Sequence, residues 1–129
     1  MSEKTQMREV TSWKETQIPN DLVAGATLYT DGICRIEIPG EYERGELMME
    51  TGTGWEQATP EGLQTCKDAC ILGRSFELGE DEYTQAPCYY CGRFMMRKIR
   101  VNGHKLSDLD GPEQFQVMDC LRRKRIMLV

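Results

Sequence analysis

The chain has 129 residues, six cysteines, one histidine and a net charge of −5, a length that suits a single domain with a modest core. With 40% hydrophobic residues before glycine is counted, its composition is that of a globular chain, which excludes disorder throughout. The polar start "MSEKTQMREV" has no apolar segment of the kind a secretory leader needs, and no apolar run approaches a membrane span.

The expectation is therefore a protein made in the cytoplasm, without a membrane partner. A reducing compartment disfavours permanent disulfides, so six cysteines there point to metal ligation, burial or redox chemistry. Charge is segregated. Residues 1–91 hold 7 Lys/Arg and 17 Asp/Glu, whereas residues 92–129 hold 9 and 4. Either the two parts pack together and neutralise locally, or an acidic surface on one molecule meets a basic one on a neighbour, or the basic end meets nucleic acid. Overall acidity argues against a free nucleic-acid binder.

Residues 1–20 read as an N-terminal arm, with Trp13 its natural anchor on a partner. Residues 21–129 read as one domain. From Ala26 to Ile38, Asp31-Gly32 stands between two apolar-rich runs and predicts a hairpin. A second hairpin is predicted in "GELMMETGTGWEQAT", reversing at Gly52 and Gly54. In "TPEGLQTCKDACILG" the period changes to that of a helix. Thr59 can cap it, Pro60 suits its first position, and Leu63, Cys66 and Cys70 fall on one side before Gly73. "RSFEL" reads as a strand and "GEDEYTQAP" as an acidic loop leading to Cys88.

Arg93 to Val101 reads as a strand whose period is broken at Met95-Met96, and Asn102-Gly103 turns it back. A C-terminal helix is predicted from about residue 111, capped by Asp110, with Pro112 in its first turn and Phe115, Met118 and Leu121 at helical spacing. "IMLV" either ends this helix or extends as a tail able to add a strand to a partner sheet. The fold class expected is α+β: a small antiparallel sheet built from hairpins, with two short helices and a zinc staple.

The stretch "CYYCG", Cys88 to Gly92, followed by Arg93 and a hairpin, resembles the zinc knuckle of zinc-ribbon modules over residues 86–106. Two residues between thiolates let a backbone curl round one tetrahedral ion. The resemblance implies zinc, and two further ligands close the site. Cys66 and Cys70, at i and i+4 on the predicted helix, are the candidates, giving a set of Cys66, Cys70, Cys88 and Cys91, with His104 or Cys120 as substitutes. The alternatives are thiols that are simply buried, and a redox Cys-x-x-Cys pair. Cys34 is expected to pack inward without a role.

No nucleophile–base pair or phosphate loop is present, so no catalytic residue is assigned. "RRKR" at 122–125 suits a helix C-terminus, and Arg122, Arg123, Lys124 and Arg125 are also candidate partner contacts. Arg93, Arg97, Lys98 and Arg100 are candidate phosphate contacts. The reading favoured is a non-enzymatic structural or adaptor subunit whose partners are other protein subunits, self included. A bacteriophage tail, baseplate or neck component, carried in the virus particle, fits the small size, the arm and the segregated charge. The runner-up is a zinc-binding regulatory or nucleic-acid-binding module, and third is a thiol-redox protein.

Overall fold

A computed structural model describes residues 7–10, 30–52 and 54–129. Trp13, most of the arm, and residues 26–29 of the Ala26–Ile38 segment lie outside the described residues. In chain order the elements are β1 (Arg8–Glu9), β2 (Thr30–Ile36), β3 (Gly40–Tyr42), β4 (Leu47–Thr51), β5 (Gly54–Gln57), α1 (Pro60–Thr65), β6 (Ala69–Leu72), β7 (Phe76–Leu78), β8 (Glu82–Phe94), β9 (Arg100–Val101), β10 (His104–Lys105), α2 (Gly111–Arg123) and β11 (Ile126–Leu128). The fold is α+β.

The 13-residue β8 organises the sheet. It pairs antiparallel with β2 along most of its length and with β6 at Cys88 and Tyr89. It pairs parallel with β1 near its start and with β11 at Gly92–Phe94. From β6 the sheet continues through β4 to β5, and it curls until β2 packs against β5.

Two cores result, one on each face. On β4, Leu47 and Met48 enter opposite cores; on β6, Ala69 and Ile71 enter one, Cys70 and Leu72 the other. Successive side chains of a strand point to opposite faces, so a strand with both faces covered must be apolar throughout. That is the pattern of "ACIL", whose four residues are all buried. The outer core lies under the two helices, where Leu63, Val117 and Leu121 meet Ile71 and Phe94. Burying a side chain the size of Phe94 stabilises by about 2–3 kcal/mol. The inner core fills the curl, and the β3–β7 ribbon closes it with Tyr42 stacked on Phe76 at 4.9 Å.

Several expectations hold. β4 and β5 form the second hairpin, β7 is the strand in "RSFEL", and Asp110 caps α2 by accepting from Glu113 N at 2.8 Å. Asn102 and Gly103 have φ of 52° and 80°, the pair of positive values that a two-residue hairpin turn of this kind needs.

Others are corrected. Asp31-Gly32 is no turn: both residues run inside β2, opposite Tyr89 and Cys88. Glycine is needed at 32 because the Tyr90 ring lies across it, only 2.5 Å from where a Cβ would sit. The helix expected through Cys70 ends at Thr65, with Cys66 already extended at φ −69°, ψ 153°. The acidic loop before Cys88 shrinks to a turn ending at Asp81, and β8 starts at Glu82. The strand expected from Arg93 to Val101 breaks where its period broke, into a 3-10 turn at Met96–Lys98. Phe115 leaves the helical stripe and faces solvent, while Val117, Cys120 and Leu121 are the residues of α2 that are buried. The tail "IMLV" adds a strand to the chain's own sheet as β11.

Candidate metal centre

Three sulfurs meet in the inner core. The Sγ atoms of Cys34, Cys70 and Cys88 all lie within 4.8 Å of one another, and each residue is 0–1% exposed. Strand register explains the meeting. Cys34 stands opposite Ala86 on β2, and Leu72 stands opposite Cys88 on β6. Each partner cysteine is thus two residues from direct opposition to Cys88, hence on the same face. The curl of the sheet then brings the three strands' inward side chains together.

Of the four cysteines expected to converge, Cys70 and Cys88 do so and Cys66 and Cys91 do not join them. Cys66, at the end of α1, packs against the outer core with its Sγ 3.7 Å from Leu63 O. An i, i+4 pairing of Cys66 with Cys70 requires a helix that the chain does not form there. Cys88-x-x-Cys91 lies in an extended strand, so the backbone does not curl round a common point as a knuckle does. A register shift falls between the two cysteines, Thr30 facing Cys91 although Asp31 faces Tyr89, and Cys91 is not among the clustered sulfurs. The third sulfur comes from Cys34, to which spacing gave no role. The signal available was the alternation of Cys34 and Ile36 inward with Ile33, Arg35 and Glu37 outward. His104 is exposed on its hairpin, and Cys120 lies in the outer core.

The electrostatics of the cluster favour one negative charge. Cys34 and Cys70, followed by the Tyr90 hydroxyl, hydrogen-bond to Cys88 and hold its pKa down, at about 4. Cys70 is pushed up by its hydrogen bonds with Cys34 and Cys88 and by burial. At Cys34 a hydrogen bond with Cys70 pulls downward, but the bond to Cys88 and burial outweigh it and the pKa rises. Tyr90 also rises, through burial and then its bond to Cys88, and its hydroxyl oxygen lies 2.9 Å from Ile33 O. One thiolate stabilised by two thiols is a cluster poised to lose two more protons if a cation enters, because a coordinated thiol is deprotonated outright. Three cysteines in this arrangement could hold a metal ion. Soft sulfur donors select zinc, copper(I) and iron–sulfur centres over hard cations.

The candidate basic contacts are spread over several roles. Arg100 is half-buried: its Nε is 3.9 Å from Oε1 of the buried Glu46, and its Nη2 donates to Gly103 O at 2.7 Å. Arg93, Arg97 and Lys98 are exposed. Arg122 and Arg123 share Asp119, at 3.1 and 2.8 Å. Lys124 Nζ donates to Cys66 O at 3.1 Å, tying α2 to the end of α1, and Arg125 O accepts from Gly92 N at 3.0 Å. No helix among the described residues is long and apolar enough to cross a membrane. No family model matches the chain, and no curated protein matches it.

Proposed function

We propose that this protein is a non-enzymatic structural or adaptor subunit of a larger assembly, its curled sheet stapled by a zinc ion bound to the thiolates of Cys34, Cys70 and Cys88. The observation that carries the reading is the meeting of three buried sulfurs from three strands that are distant in sequence. An ion there ties β2, β6 and β8 at one point, and structural metal sites contribute their binding energy directly to folding. Zinc suits these donors, since it binds thiolate well and does no redox chemistry of its own, and the three sulfurs would leave one of its four positions to a further ligand. A thiol-redox role draws on the same Cys88 thiolate, but a sulfur on a residue 1% exposed is poorly placed to meet an external disulfide.

Native mass spectrometry with and without a chelator tests the staple. The wild type is expected to carry one zinc per chain, and Cys34→Ser, Cys70→Ser and Cys88→Ser each to lose it. Cys66→Ser and Cys91→Ser are expected to keep it. A metal-free wild type, or loss of zinc on changing Cys66 or Cys91 alone, overturns the reading.

A further inference from the structure

Among the described residues five large apolar side chains stand exposed: Ile33, Ile38, Phe115, Met127 and Val129, at 61, 45, 68, 43 and 48%. Three of them, Phe115, Met127 and Ile38, line two clefts with opposite electrostatic surroundings. Phe115 and Met127 belong to a groove between α2 and β11, lined also by Met118, Ile126, Leu128 and Arg122. Across α2 and β11 the cations Arg122, Arg123, Lys124 and Arg125 outnumber the carboxylates of Glu113 and Asp119, the latter paired with Arg122 and Arg123. Its rim is basic. Ile38 belongs to a second cleft, with Trp55, Arg35, Glu37 and Glu56. There Arg35 is already engaged, donating to Glu37 at 2.6 Å and lying 3.9 Å above the Tyr83 ring. With Glu56 and the exposed Glu41 nearby in the fold, this rim is acidic.

An apolar patch ringed by one sign of charge selects a partner patch ringed by the other. Here a single chain carries both. We infer that the protein associates with a second copy of itself head to tail, the basic-rimmed α2/β11 groove of one copy taking the acid-rimmed Ile38 surface of the next. This rests on the subunit reading above and names its partner. Because the two surfaces differ, the contact is heterologous. An open chain of copies keeps one unused groove at one end and one unused Ile38 surface at the other, so the association grows into a ring or a filament instead of stopping at a symmetric dimer. Rim charge steers the encounter and fades with salt, while Phe115 and Ile38 supply the apolar anchors.

Two surface variants test this. Phe115→Asp places an acid in the basic groove, and Ile38→Arg places a base on the acidic surface. Both positions are exposed, and urea unfolding checks that both variants fold as the wild type does. In sedimentation over a dilution series, the wild type is expected to self-associate, more weakly at high salt, and each variant alone to be monomeric. Mixed in equal amounts, the variants retain one intact groove and one intact Ile38 surface between them. They are expected to form a 1:1 dimer that grows no further. A wild type monomeric at every concentration, as when residues 1–6 or 11–29 of the same chain cover the groove, overturns the inference. So does a mixture that stays monomeric, or a closed dimer sensitive to Phe115→Asp alone. Native mass spectra of the same samples separate the two proposals: a monomer that keeps its zinc removes only the self-contact, whereas a metal-free chain removes the staple.

Discussion

Changing Cys70 to Ser, beside the same change at Cys120, separates a metal staple from buried thiols. Both cysteines are buried, at 0 and 7% exposure, but Cys70 sits in the three-sulfur cluster and Cys120 in the outer core beneath α2. Either substitution introduces a buried hydroxyl that can lack a partner, which costs about 1–3 kcal/mol. In a chelator, the two variants should therefore unfold at similar urea concentrations. With free zinc at about a thousand times the dissociation constant, binding to the native state alone adds about 4 kcal/mol. The wild type and Cys120→Ser should gain that increment, and Cys70→Ser should not. Urea unfolding followed by circular dichroism, with zinc and with chelator, reads all six midpoints. Equal zinc increments in Cys70→Ser and Cys120→Ser, or none in the wild type, would refute the argument and leave Cys34, Cys70 and Cys88 as ordinary core thiols.

Three further outcomes follow from other parts of the fold. Arg125, just past the end of α2, has φ of 67°, a conformation that costs a non-glycine residue roughly 1–2 kcal/mol. Arg125→Gly should raise the thermal midpoint, and a fall would mean that the arginine side chain contributes more than its backbone costs. Asp110→Ala removes the cap on Glu113 N and should destabilise by about 1 kcal/mol in urea, with Asp110→Asn closer to the wild type. Glu46 is 1% exposed, and burial raises its pKa although Gly103 N and Arg100 pull it down. Its protonated form is thus favoured by folding, so its contribution is greatest below the ordinary carboxylate range and is lost as pH rises through the raised value. Stability relative to Glu46→Gln should accordingly decrease from acid to neutral pH; an increase would show that the Arg100 ion pair outweighs burial.

Local signals in the sequence were legible where one residue type answers one local need. Asp110 and Pro112 marked the start of α2, Asn102-Gly103 the β9–β10 turn, and Gly52 and Gly54 the β4–β5 reversal. Non-local requirements were not legible. Asp31-Gly32 carries the composition of a turn, but its glycine answers to the Tyr90 ring, which arrives from β8. Leu63, Cys66 and Cys70 match a helical stripe by spacing, yet "ACIL" is filled by apolar residues because both faces of β6 are covered. A two-faced strand has no period to read. Spacing points to Cys88 and Cys70 for a reason that does not apply, since neither a knuckle nor a helix places them.

The same alternation that hides the cluster also separates it from the groove that we propose as a contact. Cys70 and Leu72 point into the curl, while Ala69 and Ile71 point to the core shared with α2 and β11. An ion at Cys34, Cys70 and Cys88 would therefore act on the docking groove only through the sheet between them. β8 bridges the two, carrying Cys88 in its middle and pairing with β11 from Gly92 to Phe94. Tying Cys88 to β2 and β6 fixes the path of β8 and with it the strand on which the groove's floor is laid. A staple in the inner core can thus set the shape of an outer surface without touching it, which is what a subunit needs if its contacts are to form only after it has folded.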